Sequence, residues 1–268
     1  MHSKRPHQRA DLVRIAVHAM SERGLEPEFP ARVEEQLASI TGPGQEVGTA
    51  RAEIRDLTAL LWCSLDNDDS LDLDQLTVSE VLPKGAVRLW VAIADVDVLV
   101  KKDTPIDTHA LINTTSVYTS ARIFPMLPER LSNDLTSLNP GVDRLALVTE
   151  MVFNADGSLA GSTVYRARVR NKAKLAYDAV SAWIDGRGAL PEAAAAVPGM
   201  EAQLRAQDAL AQQLRARRHA EGSLELETFQ PRALFKGEQV VDIRQQEQNR
   251  GRQLIEEVMI ATNGCTAR

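Results

Sequence analysis

The 268-residue sequence has few aromatic residues, two cysteines and no long apolar run. Phe, Trp and Tyr make up 4% of the chain, so each tyrosine in a polar setting is a candidate ligand contact. Cys63 and Cys265 have no metal-ligand spacing and make a poor disulfide framework. No apolar stretch approaches the ~18 residues that span a bilayer, and the N-terminus lacks a signal-peptide core. We therefore predict a cytoplasmic protein with no membrane partner.

Excess positive charge is also absent, because the formal net charge is −6 at pH 7. This charge argues against a protein that simply coats DNA. It does not exclude an enzyme that acts on nucleic acid, since bound cations neutralise the carboxylates of an active site. The hydrophobic share of 44% and the charged share of 25% are ordinary for a globular protein.

The pattern along the chain predicts a small helical segment followed by a larger mixed body. Residues 9–40 have helical periodicity with a stop at Gly24, and residues 41–48 have the glycine and proline content of a linker. We predict a first domain at residues 1–50, either a helix-turn-helix-like accessory or a structural cap, and a second at residues 51–268. In the second, strand-like and helical stretches alternate irregularly, which predicts the α+β class.

An acidic stretch, "SLDNDDSLDLDQLT", holds five aspartates between residues 66 and 74. A solvated loop is the ordinary fate of such a charge run. However, Asp72 and Asp74 alternate with Leu71, Leu73 and Leu76, which is the pattern of an extended segment with leucines in a core and carboxylates on the opposite face. Carboxylates gathered on one surface repel one another unless cations lie between them.

The same residues indicate which kind of cation the acidic stretch could bind. A calcium loop of the EF-hand type that started at Asp66 would need glycine at Leu71 and glutamate at Thr77. A sparse set of carboxylates instead suits Mg²⁺ or Mn²⁺ in contact with a phosphate. Two such ions would stabilise the attacking and leaving oxygens of a phosphodiester.

A row of cations and two tyrosines are further candidates for contact with a polyanion. On a strand, alternate positions would share one face, and these are Arg166, Arg168, Arg170, Lys172 and Lys174. The row is either a charged edge strand or a track for phosphates. Tyr118 and Tyr177 are either packed by their rings or serve as platforms for a base.

Several motifs in order resemble the ribonuclease II and ribonuclease R (RNB-domain) exoribonucleases. They are "SLDNDDSLDLDQL", "LWVAIADVDVLVKKDTPID", "TSVYTSARIFPMLPERLSNDLTSLNPGVDRLAL", "NKAKLAYDAVSAWI" and "RQLIEEVMIATN". Together they span residue 57 to the C-terminus. The resemblance implies an RNB-type catalytic domain with a carboxylate-lined RNA channel. It also implies processive hydrolysis of single-stranded RNA from the 3′ end to nucleoside 5′-monophosphates with Mg²⁺, and no DNA partner.

The resemblance also implies roles for individual residues. The four acidic positions of the family motif fall on Asp66, Asp72, Asp74 and Gln75, of which Asp66 and Asp72 would hold metal and Asp74 would be most needed for chemistry. The positions that would contact RNA are Tyr118 at the terminal nucleotide, Tyr177 at the same end of the channel, Glu256 or Glu257 near the terminal sugar, and Lys172 and Lys174 before the second tyrosine.

Two departures from the family pattern leave an alternative open. Gln75 stands where many members carry a fourth aspartate, and its amide brings no charge to a cation. The arginine segment of the family and its C-terminal OB-fold module would lie beyond Arg268, and we expect both as partners of this chain. The alternative function is therefore an RNA-binding fragment or degenerate RNB protein with little catalytic activity of its own.

Overall fold

A computed structural model describes residues 8–44, 54–224, 231–245 and 248–267. Its helices are α1 (Arg9–Glu22), α2 (Ala31–Ser39), α3 (Pro105–Asn113), α4 (Tyr177–Ile184), α5 (Glu192–Ala195), α6 (Met200–Ala220) and α7 (Arg250–Thr266). Its strands are β1 (Arg55–Asp56), β2 (Cys63–Asp66), β3 (Gln75–Val81), β4 (Val87–Ala94), β5 (Val117–Tyr118), β6 (Ile123–Phe124), β7 (Asp143–Phe153), β8 (Leu159–Arg170), β9 (Ala173–Ala176), β10 (Pro231–Lys236) and β11 (Gln239–Gln245). The predicted α+β class is confirmed.

The chain divides into two compact units. The first contains residues 1–42, 99–131 and 226–247, and the second contains residues 43–98, 132–225 and 248–268. The predicted boundary between residues 1–50 and 51–268 falls at residues 45–53, outside the described residues, so that division stays a prediction.

The first unit contains α1, α2 and α3 with the small hairpins β5–β6 and β10–β11. The predicted pair of N-terminal helices is confirmed, and α1 ends just before Gly24. Buried His109 contacts Glu26 Oε2 through Nδ1 and Asn113 Nδ2 through Nε2, each at 3.0 Å. A satisfied buried histidine of this kind has a structural explanation and needs no ligand.

The second unit is built on a seven-stranded mixed sheet in the order β1-β8-β7-β4-β3-β2-β9. β2 and β9 are parallel, with Asp66 level with Ala176, so both strands finish at the same end of the sheet. β3 is antiparallel to β2 and therefore begins at that end. The acidic stretch that connects β2 to β3 lies there as a consequence.

Two hydrophobic clusters cover the two faces of this sheet. Along β4, Leu89 and Val91 belong to the cluster that the helices α4 to α7 cover, whereas Trp90 and Ala92 belong to the cluster on the other face. Because successive side chains of a strand point to opposite faces, β4 is buried on both. The Val, Ile and Trp content of β4 is typical of a strand buried in this way. The sheet is thus a rigid support for the residues at its ends.

Two expectations from the acidic stretch need correction. The extended segment begins only at Gln75, where β3 starts, and residues 67–74 form a loop. Leu71 is 61% exposed, whereas Leu73 is buried as expected. The reason is that the backbone groups of Leu71 and Leu73 bond to the side chain of Ser137 instead of a neighbouring strand.

Residues 154–157 form the turn that joins β7 to β8, and Gly157 has φ +76° there. A left-handed backbone of this kind favours glycine. Pro198 and Gly199 lie between α5 and α6 and interrupt an alanine-rich helical stretch. None of the described helices is both long enough and apolar enough to cross a membrane.

Candidate active site

The acidic residues meet at the end of the sheet where β2 finishes and β3 begins. Cys63 of β2 pairs with Thr77 of β3 in antiparallel register, so Asp66 at the end of β2 and Asp74 just before β3 lie at the same end of the sheet. The backbone oxygen of Asp74 also accepts a hydrogen bond from the Ala94 amide at 2.9 Å, at the end of β4. Three strands therefore fix the backbone of these two aspartates.

The loop that carries Asp72 is held by the "SLN" stretch of the long motif. Ser137 Oγ donates to the Leu71 carbonyl at 2.9 Å and accepts from the Leu73 amide at 3.1 Å. The Leu138 amide donates to the Leu73 carbonyl at 2.7 Å. Because Ser137 is almost fully buried, the "SLNPG" residues act on the site through the backbone of the acidic loop.

Burial and mutual repulsion perturb the carboxylates. Burial raises the pKa of Asp74 to about 6, and the charges of Asp66 and Asp72 add to this rise. Asp74 is itself exposed to solvent, so the protein atoms that crowd its carboxylate leave it open on one side. Burial also raises the pKa of Asp66, against which the Asn67 amide and the charge of Arg252 act. A cation at this place would relieve the repulsion between the three carboxylates.

The donor set can be compared with what a divalent cation needs. Among the residues that the structure describes, no three carboxylate, imidazole or thiol groups are arranged to enclose a metal ion. Mg²⁺ is usually held by one or two carboxylates, with water and substrate phosphate completing its shell. Asp66, Asp72 and Asp74 fit an open site of that kind, because they are hard oxygen donors with electrostatic coupling among them.

Gln75 is the least exposed of the four predicted metal positions, at 8%. Its Nε2 donates to the carbonyl of Leu65 at 3.3 Å, which fastens β3 to β2. The amide oxygen is therefore the atom through which Gln75 would face a cation. The metal-binding role of Gln75 stays a prediction.

Tyr177 and Arg252 stand beside the carboxylates. Tyr177 follows β9 directly and is the first residue of α4, so the parallel pairing with β2 brings it to the end of the sheet where Asp66 lies. The guanidinium carbon of Arg252 lies 4.7 Å from the centre of the Tyr177 ring, and its Nη2 donates to Asn67 Oδ1 at 2.7 Å. Burial and the negative charges of Asp66 and Asp74 raise the pKa of Tyr177, so its hydroxyl stays protonated near neutral pH.

The comparison with known families explains this arrangement. A model of the RNB domain matches residues 54–268. The chain belongs to the RNB domain family. Ribonuclease R of Vibrio cholerae is 38% identical over 243 residues, which are 90% of this chain and 29% of that protein. Ribonuclease R of Escherichia coli is 36% identical over 242 residues, with the same 90% and 29% shares.

Solved structures agree with the family. Mycoplasma genitalium RNase R in complex with ribose-methylated single-stranded RNA superposes with a TM-score of 0.81 at 27% identity. The match covers 94% of this chain and 38% of that one. The chain thus spans less than half the length of the relatives that it matches.

Lys172 and Lys174 of this RNB domain are on or beside β9. Lys174 Nζ donates to the carbonyl oxygens of Ser70 at 2.7 Å and Asp68 at 3.3 Å, which ties β9 to the acidic loop. The Lys172 amide donates to the Trp62 carbonyl at 2.8 Å. Lys174 is therefore already engaged with the loop, whereas the predicted contact of both lysines with RNA stays a prediction.

The five alternating cations do not lie on one strand. β8 ends at Arg170 and β9 begins at Ala173, because the buried side chain of Asn171 turns inward to bond Ser64 Oγ and the Leu138 carbonyl. The alternative of a charged edge strand holds for part of the row: β1 pairs with β8 only at Ala167 and Arg168, and β9, which carries Lys174, is an edge strand of the sheet.

The three arginines on β8 do point outward, while Ala167 and Val169 between them are buried. Arg166 Nε lies 2.8 Å from Asp95, and Arg170 Nε lies 2.6 Å from Asp143. The positive charge of Arg168 acts on Asp143 as well. Much of the positive charge of this row is thus neutralised by aspartates of neighbouring segments.

The two candidate glutamates on α7 have different environments. Glu257 is 3% exposed and forms an ion pair with Arg218 of α6, with Arg218 Nε 3.2 Å from Glu257 Oε2. Glu256 is exposed and lies one helical turn after Arg252. Of the two glutamates, Glu256 is therefore the one whose carboxylate is open to a ligand.

Tyr118 belongs to the first compact unit, in the two-residue strand β5. It is 62% exposed, in agreement with the polar setting that the sequence indicates. Its predicted contact with a nucleotide stays a prediction.

Three residues at the site were missed from the sequence, namely Asn67, Ser137 and Arg252. A signal for Arg252 was present. Arg250 and Arg252 occupy the first turn of α7, where the helix dipole disfavours positive charge. Acidic partners offset both cations: Asp208 binds Arg250 with two oxygens, and Asp66 lies within electrostatic range of Arg252.

Proposed function

We propose that the carboxylate cluster of this RNB domain hydrolyses single-stranded RNA processively from its 3′ end, with Mg²⁺ or Mn²⁺ as cofactor. The observation that carries the proposal is the convergence of Asp66, Asp72 and Asp74, with the pKa of Asp74 raised to about 6 by burial and repulsion. The names of the relatives and the RNA complex of M. genitalium RNase R support RNA as the substrate. We further propose that an arginine and an OB-fold module outside this stretch complete the protein.

The proposed reaction breaks the last phosphodiester of the RNA. Water attacks the phosphorus, the bond to the 3′ oxygen of the preceding nucleotide breaks, and that oxygen takes up a proton. The products are a nucleoside 5′-monophosphate and an RNA that is one nucleotide shorter, with a new 3′-hydroxyl. The substrate end is regenerated in each cycle, as stepwise degradation requires.

Asp74 is the carboxylate most needed for the chemistry in this proposal, because burial and the charges of Asp66 and Asp72 converge on it and raise its pKa. Divalent cations held by Asp66, Asp72 and Asp74, with Gln75 as a neutral fourth donor, would stabilise the negative charge that develops on the phosphate.

Several of the remaining predicted residues bind the RNA in this proposal, whereas Lys174 holds the acidic loop and Glu257 pairs with Arg218. Tyr177 keeps its proton and can donate a hydrogen bond to a phosphate oxygen. Tyr118 offers an exposed ring for the terminal base. Glu256, being exposed, can accept a hydrogen bond from a hydroxyl of the terminal sugar. Lys172 contacts phosphate, and the paired arginines 166, 168 and 170 contribute weakly.

One observation favours a second function, RNA binding without cleavage. Gln75 brings no charge to the fourth position, and its amide nitrogen is occupied by the Leu65 carbonyl. A site with one carboxylate fewer binds a divalent cation less tightly.

A time course with single-stranded RNA labelled at its 5′ end separates the two functions. With Mg²⁺, we expect the unsubstituted chain to convert full-length RNA to a short limit product with few intermediates, as processive hydrolysis requires, and we expect no shortening by Asp74→Asn. A matched RNA that ends in a 3′-phosphate should be degraded more slowly if the chain starts at the 3′ end. RNA that is bound in a shift assay but never shortened would reject hydrolysis in favour of binding.

A further inference from the structure

Arg252 makes two contacts with the candidate site and acts electrostatically on a third group. Its Nη2 donates to Asn67 Oδ1 at 2.7 Å, at the start of the acidic loop. Its guanidinium carbon lies 4.7 Å from the centre of the Tyr177 ring, within the ~6 Å at which a cation attracts an aromatic face. Its positive charge acts on the carboxylate of Asp66. One planar group thus contacts the loop and the tyrosine at the same time.

The backbone around Arg252 is fixed by other contacts. The Gly251 amide donates to Ser181 Oγ at 2.8 Å, and Ser181 Oγ donates to the Tyr177 carbonyl at 2.6 Å. A Cβ atom on Gly251 would lie 2.9 Å from that same carbonyl oxygen, so the close approach of α7 to α4 needs glycine. Asn249 caps α7 by accepting from the Arg252 amide at 3.0 Å. The main chain therefore presents Arg252 to the site from a rigid helix end.

We infer that Arg252 is a positioning residue, which fixes the Tyr177 ring and, through Asn67, the start of the acidic loop beside Asp66. The inference rests on the proposed function, because these positions matter only where RNA and a cation bind. Arginine is required in this role, since its flat guanidinium can lie on a ring while its edge donates to an amide oxygen. A lysine supplies the charge but cannot make both contacts in one plane.

Loss of Arg252 should weaken metal binding or activity more than it lowers the stability of the fold. Loss of a residue that orients ligand groups commonly weakens metal affinity or activity by about 10- to 100-fold. Arg252→Gln should produce a loss of this size. Arg250→Gln is the matched control, because Arg250 lies in the same helical turn and binds Asp208 on α6 instead of the acidic loop.

The test uses the three tyrosines of the chain, Tyr118, Tyr165 and Tyr177. The whole chain is labelled with 3-fluorotyrosine, and each ¹⁹F resonance is assigned by a Tyr→Phe variant. Arg252→Gln should shift the Tyr177 resonance. The Tyr165 resonance should not move, because the Tyr165 ring contacts a different arginine, Arg55, whose guanidinium carbon lies 3.8 Å from the ring centre. Arg250→Gln should leave both resonances in place while lowering the thermal midpoint, and Arg252→Lys should give an intermediate shift. An unmoved Tyr177 resonance in Arg252→Gln, or an equal shift in Arg250→Gln, would overturn the inference.

Titration with paramagnetic Mn²⁺ then separates this inference from the proposed function. Mn²⁺ bound by the carboxylates should broaden the Tyr177 resonance, and Arg252→Gln should require about 10- to 100-fold more Mn²⁺ for the same broadening. If Mn²⁺ leaves Tyr177 sharp in the unsubstituted chain, the metal site of the proposed function fails, while the shift in Arg252→Gln still decides the role of Arg252 at the ring. Equal Mn²⁺ titrations of both proteins would overturn the positioning of the acidic loop.

Discussion

Replacement of Asp74 by asparagine should make the protein more stable while removing its activity. Asp74 lies against Asp66 and Asp72 in a place where burial already disfavours its charged form. Asparagine has nearly the same shape and carries no charge. The substitution therefore removes repulsion from the folded state and leaves the packing unchanged. Catalytic sites commonly store such unfavourable interactions, so a more stable inactive variant is the expected signature.

The magnitude follows from the pKa of Asp74, which rises from 3.8 to about 6 on folding. The folded chain holds this proton more tightly than the unfolded chain does, so stability falls as the pH rises from about 4 to about 6 and then levels off. A shift of this size corresponds to about 3 kcal/mol. Because solvent reaches Asp74 and screens its repulsion from the other carboxylates, we expect Asp74→Asn to gain about half of this value, roughly 1.5 kcal/mol, near pH 7.

Urea unfolding in EDTA, followed by tryptophan fluorescence, measures this difference. Trp62, Trp90 and Trp183 are the three tryptophans of the chain, and all lie in the unit that carries the site. Asp74→Asn should gain roughly 1.5 kcal/mol near pH 7 and progressively less toward pH 4. Asp68→Asn, an exposed residue of the same loop, is the control and should change little. A variant that is no more stable near pH 7, or equally stabilised at every pH, would refute the reasoning.

Three further predictions test the surroundings of the site. Lys174→Met should weaken Mn²⁺ binding, because Lys174 Nζ holds carbonyl oxygens of the acidic loop. The dependence of RNA affinity on salt concentration should not change. If the slope of log affinity against log salt concentration falls by about 1, Lys174 contacts a phosphate instead. Glu257→Ala should cost about 3 kcal/mol in urea unfolding, since it leaves Arg218 without its buried partner, whereas Glu256→Ala should cost under about 0.5 kcal/mol. Tyr118→Ala should lengthen the limit product of RNA degradation more than it slows early cleavage, and an unchanged limit product would remove the stacking role.

The parts of the fold that local patterns specify were predictable. β4 carries its own strand composition, the turn at residues 154–157 carries a glycine for its left-handed backbone, and the helices carry their own periodicity and stops. The aspartates were also found, because charge concentrated next to an apolar strand is unusual within one short stretch. Each of these signals lies within about a dozen residues, so no long-range contact is needed to detect it.

The contacts that complete the site join segments that are distant in sequence. Ser137 holds Leu71 and Leu73 across more than 60 positions, and Arg252 reaches Asn67 across 185. The row of arginines on β8 left a charged edge strand and a phosphate track equally open, because nothing nearby in sequence indicates Asp95 and Asp143 as partners. Alternation indicated which residues share a face of the sheet, but not which charges meet there.

The most direct test of the account is to carry out the reaction in ¹⁸O-labelled water and analyse the products by mass spectrometry. Single-stranded RNA, Mg²⁺ and the chain should release nucleoside 5′-monophosphates that carry one ¹⁸O on the phosphate, and Asp74→Asn should release none. That result would establish hydrolysis at the carboxylates. Release of 3′-phosphates or cyclic phosphates, or equal release by Asp74→Asn, would contradict it.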